Sequence, residues 1–465
     1  PKTYLPSTRE YYESRWFTPA RLGRAAEVPG PTWGSVPFGA DLLFHAEGYA
    51  NVVVAVEICE DLWAPVAPSC FHALAGASIL LNLSASNEVI GKSAYRRQLV
   101  AGQAGRCIAG YVYASSGASE STTDLVFGGH GLIAENGHVL AESPRFQRND
   151  ALLVSEIDVD RLQHERQTTS SFRESHALVE ARAYRRVAFS LSRSAATLAR
   201  GVDAHPFVPR GEPQLAERCQ DIFHAQVAGL AKRLEHVGCP EAAIGVSGGL
   251  DSTLALLVAC KTFDLLGQPR RRIRALTLPG FGTTQRTLAN ARALMQHLHV
   301  DAREIDIRAL CLAEMQALGH RPFGIDPTGL SVEEFNRRLQ EVPVDGRADL
   351  AFENVQARRR TALLMNTAFV IGTGDLSELA LGWCTYNADH MSMYNPNTSI
   401  PKTLVKFLVR WAAHNEFDGV VRQTLLDVAA TEISPELLPA APDGSIAQST
   451  EQTIGPYELH DFFLF

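Results

Sequence analysis

The sequence predicts an α/β protein in which two folded regions are joined by a linker. Through residues 1–158, short β-rich runs such as YANVVVAVEI and ASILLNLSA alternate with Gly-rich breaks, which favours an α/β or sandwich arrangement. Across residues 206–465 the order becomes strand, loop, helix, as in AAIGVS followed by STLALLVACKTFDLL, and this order predicts a doubly wound parallel sheet. Residues 159–205 are polar, of mixed charge and without glycine before Gly201, so we predict a linker with helical parts there.

Composition excludes several classes of protein. The chain has 465 residues, enough for two or three domains with separate cores. Its net charge of −8 argues against general nucleic-acid binding, and no apolar run approaches the roughly 20 residues that cross a bilayer. The eight cysteines lack CxxC or CxxH spacing, which indicates a reducing compartment without a zinc knuckle or disulfide framework. We therefore expect a cytoplasmic protein that binds neither nucleic acid nor membrane.

A distinctive loop follows the predicted strand AAIGV and reads SGGLDS, from Ser247 to Ser252. Its glycines would let backbone N–H groups approach an anion at the N-terminus of the next helix. The lysine of a Walker A loop is missing, and Asp251 would repel phosphates unless a cation such as Mg²⁺ bridged them. The loop therefore predicts a phosphate cradle with Mg²⁺, although a Gly-rich βα turn with a capping aspartate would look the same.

The loop resembles the SGGxDS pyrophosphate-binding motif of the N-type ATP pyrophosphatases, which adenylylate a carboxyl or carbonyl group and release pyrophosphate. Later stretches resemble the NAD synthetase family in that family's order: LPGFGTTQRT (278–287), ENVQAR (353–358), GTGDLSELALGW (372–383) and IPKTL (400–404). Members bind nicotinate adenine dinucleotide and ATP, form an adenylylated nicotinate, and let ammonia displace AMP. The resemblance therefore implies ATP-dependent amidation of nicotinate adenine dinucleotide to NAD, with ATP as co-substrate.

This resemblance assigns roles to individual residues. Asp251 and Glu378 match positions that hold Mg²⁺, and two carboxylates suit a hard cation shared with phosphates. Lys402 matches a lysine that neutralises phosphate charge during adenylyl transfer, and Thr373 would also contact ATP. The remaining residues expected at the pyrophosphate are Ser247, Gly248, Gly249 and Ser252. Those expected at the dinucleotide are Asn354, Arg358 and Arg360. Guanidinium groups suit such a doubly charged substrate.

A cysteine in the first region indicates a second chemistry. In VVVAVEICEDLWAP, Cys59 follows an apolar strand and has the acids Glu57, Glu60 and Asp61 around it. A lone cysteine is usually a buried structural thiol, but a merely packed thiol would not require this polar strand end. The segment resembles the nucleophile motif of the nitrilase (carbon–nitrogen hydrolase) superfamily, and PKTYLP resembles its lysine motif. The first region would then be a nitrilase-like α-β-β-α sandwich that acts as a glutamine amidase.

In that superfamily a glutamate is the general base, the cysteine forms a thioester and the lysine stabilises the oxyanion. The resemblance gives Cys59 and Lys2 the last two roles, and Glu60 and Ser86 would line a glutamine pocket. The glutamate precedes the lysine in the superfamily, and this chain begins at Pro1. We therefore expect a fragment that is incomplete at both ends, and no residue is assigned to the general base.

The two resemblances together imply the glutamine-dependent branch of the NAD synthetase family. Glutamine hydrolysis in one domain, with enclosed passage of ammonia to the other, would avoid loss of ammonia as ammonium and exclude water. The expected partners are ATP, nicotinate adenine dinucleotide, and glutamine or ammonia. Since nitrilase domains commonly associate, the resemblance also implies a homo-oligomer.

Two alternatives remain. Another amidotransferase of the ATP pyrophosphatase group could make asparagine, GMP or a thiolated tRNA base. Asparagine synthetase, however, needs a cysteine where this chain has Pro1, and base thiolation favours CxxC pairs and a basic face. A non-enzymatic scaffold with a decayed site is the other alternative, but decay should first erase SGGLDS or Cys59, and both are intact.

Overall fold

A computed structural model of the chain describes residues 1–7, 11–30, 32, 34–192, 197–343, 349–430 and 450–465. It divides into two compact units, Pro1–Val202 and Asp203–Phe465. Each unit has its own sheet, and the α/β fold class predicted from the sequence is confirmed. No helix in the described part of the chain is both long and apolar enough to cross a membrane.

The first unit is built on one mixed sheet. The strands of the first unit are β1 (Glu27–Gly30), β2 (Gly34–Pro37), β3 (Leu42–Glu47), β4 (Val53–Ile58), β5 (Ile79–Ser84), β6 (Gly110–Ser115), β7 (Gly131–Glu135), β8 (His138–Glu142) and β9 (Arg185–Ser190). The helices are α1 (Glu13–Trp16), α2 (Pro68–Leu74), α3 (Lys92–Cys107), α4 (Val159–Thr168) and α5 (Ser170–Glu174). Seven strands pair in the order β8-β7-β6-β5-β4-β3-β9, while β1 and β2 form a separate hairpin.

Three central strands of this sheet position the first site. Residues alternate between buried and half-buried along β4, which is the period of a strand whose two faces are covered unequally. β4, β5 and β6 are parallel, so their carboxyl ends meet at one edge of the sheet. Cys59 follows β4 at that edge, and Ser86 lies just beyond β5.

The stretch predicted as a linker, residues 159–205, contains α4, α5 and β9. β9 pairs in parallel with β3 along all six residues of both strands, and the unit boundary falls after Val202. Half of the residues of β9 are exposed and half are partly buried. An edge strand of this kind keeps charged residues such as Arg185 and Arg186, which is why its sequence resembles a solvated linker.

The second unit is a parallel sheet with helices on both faces. Its strands are β10 (Ala242–Gly245), β11 (Ile273–Thr277), β12 (Asp301–Glu304) and β13 (Phe369–Ile371). Its helices are α6 (Glu212–Val237), α7 (Leu250–Leu265), α8 (Gln285–His297), α9 (Arg308–Leu318), α10 (Val332–Glu341), α11 (Leu350–Met365), α12 (Leu376–Leu381), α13 (Lys402–Asn415), α14 (Gly419–Ala429), α15 (Thr450–Ile454) and α16 (Tyr457–Leu464). Adjacent strand residues enter different cores: Ala275 packs with α6, α7 and α13, and Leu276 packs with α9, α10 and α11.

The strand order of the second unit determines where a ligand can bind. The order is β12-β11-β10-β13, and every pair is parallel. After β10 the chain builds outward through β11 and β12, and it then returns to the other side of β10 as β13. In doubly wound sheets ligands bind beyond the carboxyl ends of strands at such a reversal. The turns that follow β10 and β13 therefore face the expected binding crevice.

Candidate active sites

The turn between β10 and α7 has a backbone that only glycine fits at one position. Gly248 has φ +90°, and a Cβ there would lie 2.1 Å from the carbonyl oxygen of Thr287. Ser247 Oγ accepts from Gly249 N at 3.1 Å and lies 3.0 Å from Ser252 Oγ. These bonds order the turn at the N-terminus of α7. The predicted phosphate cradle is therefore a rigid strand-to-helix turn.

A cavity of about 860 Å³ opens beside this turn, within the usual size range for small-molecule and cofactor sites. Its lining includes every residue that the sequence predicted for ATP, Mg²⁺ and the dinucleotide. These residues are Ser247, Gly248, Gly249, Asp251, Ser252, Asn354, Arg358, Arg360, Thr373, Glu378 and Lys402. Four separate motifs thus converge on one cavity, and the individual roles remain predictions.

Four ionisable side chains, those of Lys402, Asp251, Asp375 and Glu378, form what we call the Lys402 cluster. The ammonium of Lys402 lies 2.7 Å from a carboxylate oxygen of Asp251, 2.9 Å from Asp375 and 2.7 Å from Glu378. Only 3% of the Lys402 side chain is exposed, so these contacts occur away from bulk water, where charges interact strongly.

Burial and mutual charge shift the pKa values of Glu378, Asp375 and Lys402 within the cluster. Burial, together with the charge of Asp251, raises the pKa of Glu378 to about 8. Burial raises the pKa of Asp375 to about 6, although Lys402 opposes the shift. Burial alone would lower the pKa of Lys402, but the three carboxylates hold it well above its ordinary value. Lys402 therefore stays a cation at neutral pH.

The residues of the cluster fit a divalent cation. Candidate ligand oxygens of Asp251, Asp375 and Glu378 lie within 4.8 Å of one another, and Mg²⁺ prefers such oxygen donors. Asp251 Oδ1 is buried and has no hydrogen-bond partner among the described residues. Sequence reasoning missed Asp375, which caps α12 by accepting from Glu378 N at 2.9 Å. The D-x-x-E spacing of an N-cap was the signal for it.

A buried asparagine joins the two loops of the crevice. The side-chain amide of Asn397 donates to the carbonyl oxygens of Asp251 at 3.0 Å and Thr373 at 3.1 Å. Asn397 is fully buried, so the first turn of α7, which completes the SGGLDS loop, is held directly to the loop after β13. No motif in the sequence analysis singled out this residue.

Helix α11 carries the residues predicted for the dinucleotide. Asn354 and Arg358 are four residues apart and therefore lie on one face of the helix. Arg358 is exposed, and its Nε donates to the carbonyl of Tyr386 at 3.2 Å. Arg360 donates to the carbonyl of Leu278 at 3.1 Å. Both arginines line the cavity.

The candidate nucleophile of the first unit has an unusual backbone. Cys59 has φ +49°, a left-handed conformation that costs a non-glycine residue about 1–3 kcal/mol and is common at active sites. Its N–H donates to Asn82 Oδ1 at 3.2 Å, and the residue is half-buried. This left-handed residue lies directly after β4, at the carboxyl edge of the sheet.

A buried carboxylate fixes the lysine segment against this turn. Asp61, 1% exposed, accepts from Thr3 N at 2.9 Å, Tyr4 N at 2.8 Å and Ile58 N at 3.0 Å. The residue next to Thr3 is Lys2, so Asp61 joins the predicted lysine to the cysteine turn. Sequence reasoning gave Asp61 no role, because three backbone bonds leave no pattern in the sequence.

Lys2 also has an acidic partner that the sequence analysis missed. Its ammonium lies 2.6 Å from a carboxylate oxygen of Glu13. Burial raises the pKa of Glu60, and the charge of Lys2 opposes that shift. Ser86 is buried and accepts weakly from the buried guanidinium of Arg96 at 3.4 Å. The charge of Lys2 therefore acts on Glu60. Ser86 lies at the same edge of the sheet as Cys59.

Comparison with known proteins gives consistent matches. The family model described as NAD synthase matches residues 222–461. The glutamine-dependent NAD(+) synthetase of Mycobacterium leprae is 43% identical over the full chain, which covers 67% of that protein. The protein of the same description from Mycobacterium tuberculosis is 42% identical with the same coverage. The one from Aquifex aeolicus is 24% identical over the full chain and 70% of its own length.

Proposed function

Since the chain belongs to the glutamine-dependent NAD⁺ synthetase family, we propose that it amidates nicotinate adenine dinucleotide to NAD⁺ at two sites that divide the reaction. In the second unit the nicotinate carboxylate attacks the α-phosphorus of ATP, and pyrophosphate leaves. Ammonia then attacks the adenylylated carboxyl carbon, and AMP leaves. In the first unit glutamine is hydrolysed to supply that ammonia.

The chain's own residues would act mainly by binding and by neutralising charge. Backbone N–H groups of the turn after β10, with the hydroxyls of Ser247 and Ser252, would bind the departing pyrophosphate. Lys402 would offset negative charge that develops on the phosphates, and Arg358 and Arg360 would hold the dinucleotide. Mg²⁺ held by the three carboxylates of the Lys402 cluster would, when bound, add positive charge beside the phosphates.

At the first site Cys59 would attack the side-chain amide of glutamine and release ammonia, and water would then hydrolyse the thioester to glutamate. Lys2 would stabilise the oxyanion, and Glu60 and Ser86 would line the glutamine pocket. The strained backbone of Cys59 and the three bonds that Asp61 accepts support this assignment, because they hold the lysine segment and the nucleophile in a fixed relation.

We further propose that ammonia passes from one domain to the other without entering bulk water. Free ammonia at neutral pH is almost entirely ammonium, which is not a nucleophile, so enclosed passage would preserve the reactive form. From the resemblance of the first region to nitrilase domains, we also propose that the protein is a homo-oligomer.

One observation carries this proposal: residues from four separate motifs line a single cavity around the Lys402 cluster. The test is NAD⁺ formation from nicotinate adenine dinucleotide, ATP and Mg²⁺, with glutamine or ammonium as the nitrogen source. We expect product with both sources. Product with ammonium alone would contradict the role of the first unit, and no product with either source would contradict the whole proposal.

A further inference from the structure

Helix α16 carries two buried side chains on one face. Tyr457 is 2% exposed and Asp461 is 1% exposed, while Glu458 and Leu459 between them are exposed. Residues four apart lie on the same side of a helix, so this face of α16 packs into the second unit. Both side chains meet residues of the Lys402 cluster or residues bonded to it.

Asp461 caps a helix to which it does not belong. Helix α13 begins at Lys402 after Pro401, which provides no side-chain cap, and the first N–H groups of any helix need acceptors from elsewhere. Thr403 donates to Asp461 Oδ2 from its backbone N at 2.9 Å and from its hydroxyl at 2.6 Å. A carboxylate is also favoured at the positive end of a helix dipole.

The other oxygen of the same carboxylate reaches helix α12. Ser377 Oγ donates to Asp461 Oδ1, and the same Oγ accepts from Lys402 N at 2.9 Å. Ser377 directly precedes Glu378. Asp461 therefore joins the two helices whose side chains, Glu378 and Lys402, meet 2.7 Å apart in the cluster.

Tyr457 covers the cation itself. Its ring centroid lies 5.4 Å from Lys402 Nζ, within the range of a cation–π contact. Burial raises the pKa of its hydroxyl above the ordinary tyrosine value, so the phenol stays neutral. The ring thus provides an uncharged wall that limits where the lysine side chain can go.

We propose that Asp461 is a positioning residue for adenylyl transfer: it holds α12 and α13 in the register that places the Lys402 ammonium among its carboxylates. This inference rests on the proposed function of Lys402 and adds to it a dependence on helix α16. Without the carboxylate, Ser377 and Thr403 lose their shared acceptor, and the first turn of α13 loses the contact that fixes Lys402.

The test compares Asp461→Asn with Glu458→Gln, which also neutralises a carboxylate on α16 but at an exposed position. Ammonium-driven NAD⁺ formation gives kcat and the KM for ATP, isothermal titration gives the affinity for Mg·ATP, and thermal melting confirms that each variant is folded. We expect Asp461→Asn to lower kcat/KM for ATP by on the order of 100-fold, as misplacement of a catalytic group does. Glu458→Gln should leave it unchanged.

A purely structural role would lower the melting temperature and the active fraction without changing the KM for ATP. The proposal is overturned if folded Asp461→Asn keeps kcat/KM for ATP and Mg·ATP affinity within twofold of Glu458→Gln. If Asp461→Asn does not fold, Thr403→Val decides, since it removes only the 2.6 Å hydroxyl donor. We expect it to lower kcat/KM by roughly tenfold, as the loss of one hydrogen bond to a charged group does, and an unchanged value overturns the proposal.

The proposed function can fail separately from this inference. If the unsubstituted chain makes no NAD⁺ with glutamine or ammonium but binds Mg·ATP, the proposed function fails, and the affinity of Asp461→Asn relative to Glu458→Gln still decides the inference. If the unsubstituted chain does not bind Mg·ATP, both are overturned.

Discussion

Two cysteines of the first unit share one amide. Gln103 Nε2 lies 3.2 Å from Cys70 Sγ and 3.3 Å from Cys107 Sγ. Cys107 is buried, whereas Cys70 is half-buried. The hydrogen bond from Cys107, helped by Gln103, lowers the pKa of Cys70 to about 6, although burial opposes it. Cys70 is therefore thiolate at neutral pH.

This shift predicts a reactive thiol. Because a thiolate alkylates and a thiol does not, the alkylation rate of Cys70 by iodoacetamide should rise with pH around a midpoint near 6 and then level off. Mass spectrometry of peptides from the Cys59→Ala variant measures this without the candidate nucleophile. Cys384 is the internal control, since it is also half-buried but burial raises its pKa.

In Cys107→Ala the main hydrogen bond is gone, so the midpoint for Cys70 should move upward, towards the ordinary thiol value of about 8.5. A midpoint near 8.5 in the chain that retains Cys107 would contradict the environment described here.

The site residues that the sequence could indicate were those inside recognisable motifs. Asp251, Glu378 and Lys402 were placed by resemblance, and the structure brings them together. Asp461 was missed for a physical reason. Its role consists of hydrogen bonds to a backbone N–H and to hydroxyls far away in the chain, and such bonds require no spacing in the sequence. Asp375 differs, because its bond to Glu378 N is local and the D-x-x-E spacing of an N-cap was the signal for it.

At the scale of the elements, the turn between β10 and α7 requires glycine at one position. Gly248 needs a left-handed backbone and also lies against the start of α8. Gly238, which ends α6, has a similar φ of +65° but open space where a Cβ would go. Alanine substitutions at the two glycines therefore separate the free-energy cost of a left-handed backbone from that of a steric clash.

We predict different outcomes for Gly248→Ala and Gly238→Ala. Gly238→Ala should lower the free energy of unfolding by about 1–2 kcal/mol, the cost of a left-handed alanine, and should keep ammonium-driven activity. Gly248→Ala should cost about 1–3 kcal/mol more because the methyl group overpacks against Thr287, and it should abolish NAD⁺ formation. Urea unfolding and the activity assay measure both effects. Equal stability and activity in the two variants would show that the close approach at Gly248 is unimportant.

Elements with a strong local pattern were predictable. The strand–loop–helix order of the second unit predicted its parallel sheet, because buried parallel strands and their crossover helices appear in the sequence as apolar strand segments that alternate with helical segments. β9 was not predictable in the same way. It is a half-exposed edge strand whose partner β3 is about 140 residues earlier in the chain, and only that pairing makes it a strand.

At the scale of the whole molecule, the chain consists of two compact units with one candidate site in each. The first unit presents a strained cysteine and a lysine segment clamped by Asp61. The second presents the predicted phosphate cradle and the Lys402 cluster beside a cavity of about 860 Å³. In the proposed function the two sites carry out separate reactions, and the second site would consume the ammonia that the first releases.

Because each unit is assigned one reaction, a change of nitrogen source tests the assignment most directly. Cys59→Ala and Asp251→Ala are each assayed for NAD⁺ formation from nicotinate adenine dinucleotide, ATP and Mg²⁺, once with glutamine and once with ammonium. We predict that Cys59→Ala loses glutamine-driven synthesis and keeps ammonium-driven synthesis, because only the thioester step needs the thiol. Asp251→Ala should lose both, because both require Mg²⁺ and phosphate binding. Loss of both activities in Cys59→Ala, or synthesis retained in Asp251→Ala, would contradict the assignment of one reaction to each unit.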